Sequence, residues 1–89
     1  MSQATEVYAH EFDERFFRLP DDIQRRIGRK ITEMGSRLRQ FPHQRMTGMS
    51  CFRLRIGDYR VIYEFNAAKE EIYLITLGHR REVYRRGGP

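Results

Sequence analysis

Arginine dominates the chemistry open to this chain. Of seventeen basic side chains fifteen are arginine, only Lys30 and Lys69 being lysine, against twelve acidic ones for a formal net charge of +5. A guanidinium stays charged in water and its planar fork grips a phosphate bidentately, so an excess that is almost all arginine fits a polyanionic partner. An arginine-rich solvated surface would give the same composition, so position has to decide.

The informative positions lie in two stretches. Cys51 to Ile56 and Tyr59 to Phe65 alternate in polarity and are rich in β-branched and aromatic residues, and only Gly57-Asp58 separates them. That is a β-hairpin closed by a two-residue turn, with glycine where a primed turn wants it. The turn length fixes the register, setting Ile56 opposite Tyr59, Arg55 opposite Arg60, Leu54 opposite Val61 and Arg53 opposite Ile62. A period of two then sends Phe52, Leu54, Ile56, Tyr59, Val61, Tyr63 and Phe65 to one face, and Arg53, Arg55 and Arg60 to the other. Like charges set directly opposite cost up to ~1 kcal/mol, which a sheet built only for stability avoids. Pairing with Glu64 and Glu82, or splaying into water, would make this an ordinary solvated face. A basic floor for a phosphodiester accounts for the convergence itself. Arg80 and Arg81 arrive from the end of the next strand and Tyr84 can stack on a base, a set that suits RNA better than a small metabolite.

The elements that position this set are a helical half followed by a strand half. Thr5 to Ala9 reads as a short first strand. Phe12, Phe16 and Leu19 recur at helical spacing, which predicts a helix from Glu11 to Leu19 ended by Pro20. Asp21 is placed to cap a second helix, in which Ile23, Ile27, Ile31, Met34 and Leu38 form one apolar stripe running to about Gln40. Its other face carries Arg25, Arg26, Arg29, Lys30, Arg37 and Arg39, either a solvated face or a docking surface for RNA. Gly28 and Gly35 weaken that helix and mark close approach of another element. His43 to Ser50 has no period and reads as a loop. Glu71 to Leu77 is apolar on both faces, as an inner strand covered on both sides should be.

At 89 residues the chain is one domain, with enough apolar mass, 39% of residues, for one modest core. No stretch approaches the ~18 apolar residues of a membrane span, and the first residues lack the basic and apolar regions of a secretory signal, so a cytoplasmic protein with no membrane partner is expected. A lone Cys51 excludes an internal disulfide, and no Cys/His cluster has zinc-ligand spacing, so neither metal nor cofactor is expected. Cys51 itself reads as a bystander at the edge of the basic face, and Asp58 as a turn residue.

Arg53-Leu54-Arg55-Ile56-Gly57-Asp58-Tyr59-Arg60-Val61-Ile62-Tyr63, followed by Leu77-Gly78-His79-Arg80-Arg81-Glu82-Val83-Tyr84, resembles the RelE/ParE toxin superfamily, on the RelE side. The Leu19-Pro20 helix break and the chain length agree. The resemblance implies an α+β fold, with two N-terminal helices packed on a twisted antiparallel sheet of about four strands. It implies the toxin of a type II toxin–antitoxin pair, neutralised by a RelB-like antitoxin in a hetero-oligomer. The activity implied is metal-independent cleavage of mRNA in the ribosomal A site, beside rRNA, by attack of the ribose 2′-OH on the adjacent phosphate. Catalysis would fall on Arg55, Arg60, Arg80 and Tyr84, and RNA binding on Arg53, His79 and Arg81. Arg60 and Arg80 would stabilise charge growing on the phosphoryl oxygens, and Tyr84 would orient the base or the 2′-OH. The RelE pattern usually places lysine at one or both of the Arg53 and Arg55 positions, and an arginine is a poor general base, so proton abstraction has no owner. His79 is the spare acid or base, imidazole being the side chain that exchanges protons at neutral pH. Two other readings stay open: a DNA gyrase inhibitor of the ParE type, which needs no converging arginines, and an RNA-binding module without catalysis.

Overall fold

The structure is a computed structural model that describes residues 3–81. Five strands form one mixed sheet: β1 (Thr5–Tyr8), β2 (Gln44–Arg45), β3 (Phe52–Ile56), β4 (Tyr59–Asn66) and β5 (Glu71–His79), in the order β1-β5-β4-β3-β2. The hairpin has the register that its turn dictates, with Arg55 opposite Arg60 and Arg53 opposite Ile62. Gly57 takes the positive φ of +58° that such a turn needs and that glycine adopts without a steric penalty. β5 lies between β1 and β4, as its two apolar faces require.

The sheet departs from the expected four antiparallel strands in two ways. β1 runs parallel to β5, pairing Thr5 with Glu71 through Tyr8 with Leu74, so the sheet is mixed. β2, a two-residue pairing inside the stretch read as a loop, adds a fifth strand at the other edge. Its brevity explains why no period announced it: two residues cannot show an alternation. A register shift between Ile62 and Tyr63 in the β4–β5 ladder turns Ile75 and Thr76 away from the main core and returns Leu77 to it.

Among the described residues two helices cross one face, α1 (His10–Phe16) and α2 (Asp21–Ser36). Both are shorter than the apolar spacing predicts. α1 ends before the proline, and α2 ends at Ser36 because Arg37 leaves helical geometry at φ −146°. Asp21 is the first helical residue and Pro20 holds the cap position, with no side-chain cap; Gln24 instead folds back and donates from Nε2 to the Leu19 carbonyl at 2.8 Å. Ile27, Ile31 and Met34 bury against Leu54, Val61, Tyr63, Ile72, Leu74 and Leu77 of the sheet, with Phe12 added from α1. Gly35 lies against the chain start: the Ala4 amide donates to its carbonyl at 3.0 Å, and a Cβ there would collide with the Gln3 amide. At Gly28 a Cβ would meet nothing within 4 Å. No helix among the described residues is long and apolar enough to cross a membrane.

His43 organises the far end of the core. It stacks on Phe65 at 3.9 Å between ring centroids and packs near Phe41, Phe52 and Tyr63. Its Nε2 lies 2.7 Å from the Leu38 carbonyl, which can only accept, so Nε2 carries the hydrogen and Nδ1 accepts from the Tyr63 hydroxyl at 2.6 Å. Burial pushes the Tyr63 phenol well above its ordinary titration range.

Candidate nucleic-acid interface

The hairpin gives the site its frame. Arg53, Arg55 and Arg60 share by register the sheet face opposite the helices, while Leu54, Ile56 and Val61 join Ile27 in the core. They do not form an evenly open floor. Arg55 is exposed and Arg53 half-buried, its Nε donating to Gln44 Oε1 at 3.4 Å, whereas Arg60 is only 5% exposed. The reason lies in the turn: the Arg60 side chain folds beneath it and Nη1 donates to the carbonyls of Gly57 at 2.8 Å and Tyr59 at 3.0 Å. Its Nε is buried, with no hydrogen-bond partner among the described residues.

Arg80 meets the same turn from β5, its backbone amide donating to the Asp58 carbonyl at 2.8 Å, and both Arg80 and Arg81 are exposed. A further guanidinium comes from an unexpected element. Arg26 of α2 reaches the turn so closely that a Cβ on Gly57 would lie 3.2 Å from its Nη2. Helical spacing places Arg26 on the solvated flank of α2, and only the packing of that helix's first turns against the hairpin brings it here. Four elements thus place arginines around residues 57–58, from α2, β3, β4 and the end of β5.

His79 takes a different place from the one expected. Paired with Tyr59, it shares the helix-side parity of Leu77, and its ring meets the Tyr59 ring at 6.0 Å between centroids. There it lines a cleft of about 570 Å³ with Glu14, Arg15, Arg18 and Leu19, on the other side of the sheet from Arg53, Arg55 and Arg60. The stretch Gly78-His79-Arg80 reads as one run in sequence, but β5 ends at His79, on the helix side, and Arg80 already has helical geometry. Tyr84 and Glu82 lie outside the described residues.

The arginine face is not uniformly polar. Beyond Arg53 and Arg60, Cys51 and Ile62 form a second, small apolar cluster with Met46 and Ile75 packed against it. Cys51 is buried, its Sγ 3.7 Å from Met46 Sδ. On the rim, Thr76 Oγ1 donates to Glu11 Oε2 at 2.6 Å and Ser50 Oγ to Glu64 Oε2 at 3.3 Å.

A helix pair on one face of a hairpin-centred mixed sheet, with arginines gathered around the hairpin turn, defines a small α+β protein with a basic cluster at one end. Residues 7–84 match the family described as ParE toxin of type II toxin–antitoxin system, parDE, and the chain belongs to that family. It is a type II toxin–antitoxin toxin of the RelE/ParE superfamily. The fold is similar to that of a double mutant of Escherichia coli RelE in the free state, with a TM-score of 0.75 at 16% identity over 94% of this chain and 93% of that one. It is also similar to the toxin–antitoxin complex RelBE2 from Mycobacterium tuberculosis, at 0.73 and 17% over 90% and 94%. The RelB–RelE antitoxin–toxin complex from Methanococcus jannaschii follows at 0.70 and 23% over 92% and 99%. No curated protein matches the sequence.

Proposed function

We propose that this toxin is a ribosome-dependent mRNA endonuclease that arrests translation by cutting in the A site. The observation that carries this reading is the gathering of Arg26, Arg55, Arg60 and Arg80 at one hairpin turn, with the Arg60 guanidinium folded beneath it. Arg60, held beneath the turn, would contribute its charge to a phosphoryl oxygen bound above it. Arg55 and Arg80, exposed on either side, would hold the non-bridging oxygens, and Arg53 the neighbouring backbone.

Cleavage in this reading needs no group from outside the RNA except proton carriers. The ribose 2′-OH attacks the adjacent phosphorus, the bond to the 5′ oxygen of the next nucleotide breaks, and the products are a 2′,3′-cyclic phosphate and a 5′-OH. The arginines stabilise the charge that accumulates on phosphorus oxygens and hold the 2′-OH in line. Tyr84 is the residue proposed to orient the base or the 2′-OH, and Arg81 to bind RNA. His79, on the helix side, is left as a group near the path of the strand end rather than beside the scissile phosphate. A RelB-like antitoxin is the proposed partner, in keeping with the RelB–RelE complexes among the structural relatives.

A second reading is inhibition of DNA gyrase, favoured by the matched family's own description as ParE. Brief expression in cells followed by mapping of mRNA 5′ ends separates the two. New ends inside coding sequence, phased with codons, are expected; intact mRNA with gyrase-linked DNA breaks would replace the endonuclease reading by the gyrase one.

A further inference from the structure

The arginine face continues, away from the hairpin turn, into a pocket of about 640 Å³. That size suits a small organic ligand. Its floor is apolar, made by Cys51, Ile62 and Ile75 with Met46 beside them, and its rim carries Glu64. Ile62 and Glu64 follow Arg60 on alternate residues of β4, and Cys51 lies just before β3, two residues from Arg53, so floor and arginines lie about 7 Å apart along the strands.

Glu64 is out of keeping with its surroundings. It is exposed on the sheet face that holds the arginines, yet among the described residues it forms no ion pair and accepts only from Ser50 Oγ, through Oε2. Glu11 on the opposite rim is engaged by Thr76 Oγ1 at 2.6 Å and by Arg15 Nε at 3.6 Å. The pocket thus joins a flat apolar floor, polarisable sulfur, and one carboxylate with accepting capacity to spare, next to a phosphate-binding cluster. Unstacked bases of single-stranded RNA are recognised by this combination, stacking on an apolar surface while a polar group reads the edge.

We propose that this pocket takes the base of a nucleotide adjoining the phosphate held by the arginines, and that Glu64 reads its edge. The proposal rests on the endonuclease reading and adds the base preference to it. A carboxylate only accepts, so it selects edges that donate. Guanine offers N1–H and its 2-amino group side by side and takes both carboxylate oxygens. Adenine and cytosine offer one amino group, and uracil a single N–H flanked by two carbonyls that repel the carboxylate. The order guanine, then adenine and cytosine, then uracil follows from that chemistry.

The test is single-turnover cleavage on ribosomes programmed with codons that vary one base at a time, with the wild type and Glu64→Gln. At one codon position the wild type should cut guanine about tenfold or more faster than uracil, the discrimination that one good bidentate contact supplies. Glu64→Gln, whose amide both donates and accepts, should compress that ratio severalfold and leave the order at the other positions unchanged. Ser50→Ala should give a weaker form of the same effect, since it frees the carboxylate that Ser50 orients. Because Glu64 is exposed, both variants should keep the wild-type melting temperature. Cleavage with no base order, or with an order that Glu64→Gln leaves unaltered, overturns the proposal while the endonuclease reading stands. Unaltered order together with weakened binding of the antitoxin would assign the pocket to that protein instead, and no cleavage by the wild type at any codon would remove both readings.

Discussion

Arg60 has two jobs at once, and its variants should show both. Its Nη1 holds the carbonyls on either side of the turn, and its charge is proposed to stabilise the phosphoryl oxygens. Arg60→Ala should therefore lose about 2 kcal/mol of stability, in the range for hydrogen bonds to a charged group, and about 100-fold in single-turnover cleavage. Arg80→Ala should lose similar activity with stability nearly unchanged, because it is exposed and meets the turn through its backbone. Urea titration beside the cleavage assay separates the two effects. Tyr63 gives the pH dependence. Burial raises its pKa in the folded state, so the unfolded chain ionises first, and the stabilisation from keeping this phenol neutral is complete below about pH 10. It is lost as pH rises from there through the folded-state value. Tyr63→Phe should start less stable, having broken the bond to His43, yet lose stability more gently above pH 10 in denaturant titrations. Tyr8, raised by burial and its bond to Glu6, and Tyr73, raised by its bond to Glu71, supply what slope remains.

At the scale of elements, the β3–β4 hairpin is the part on which both fold and site depend. Its two-residue turn sets which side chains face the helices, anchors Arg60 from below, receives the Arg80 amide and abuts Arg26. Gly57→Ala should cost about 1–2 kcal/mol for the left-handed backbone alone, and Arg26 must also give way. A lowered urea midpoint with an unchanged m-value would report that loss. Cleavage should fall more than stability explains, since the turn gathers arginines from four elements. The loop before β3 has an anchor of its own in His43. Removing the imidazole by His43→Ala strands the Tyr63 hydroxyl and the Leu38 carbonyl in the core and leaves a void against Phe65, a loss of about 3 kcal/mol expected in the same titration.

Charge is distributed unevenly over the whole molecule. Glu33 pairs with Arg37 at 2.9 Å and Lys30 at 3.4 Å, which hold its carboxyl below the usual range, and Glu11 pairs with Arg15. Among the described residues, Arg26, Arg55, Arg60 and Arg80 at the hairpin turn form no such ion pair. A molecule left with that face uncovered should be harmful when made alone and harmless beside an antitoxin whose acidic segment covers it. Growth arrest on solo expression, relieved by co-expression of an adjacent small open reading frame, is the expected result. Its affinity for ribosomes should fall steeply with salt, because phosphate contacts release counterions.

Much of this was decided by the sequence alone. Two residues between alternating strands allow only one register, so Arg55 beside Arg60 follows from counting, and the stripe from Ile23 to Met34 follows from the helical period. Other features depend on atoms brought together from distant parts of the chain. The parallel direction of β1 is set by its fit beside β5, and the pairing of β2 is too short to show a period. His43 has no pattern around it and acquires its role only from Leu38, Tyr63 and Phe65. Arg26 looks like any solvated arginine until α2 is laid over the hairpin. Arg60 looks exposed by parity until its side chain folds under the turn, and Glu64 looks like its counter-ion until Arg60 is seen to bond the turn carbonyls and Glu64 to accept from Ser50. Local periodicity fixes which way a side chain leaves the backbone, whereas burial and partnership depend on what other elements place in its path.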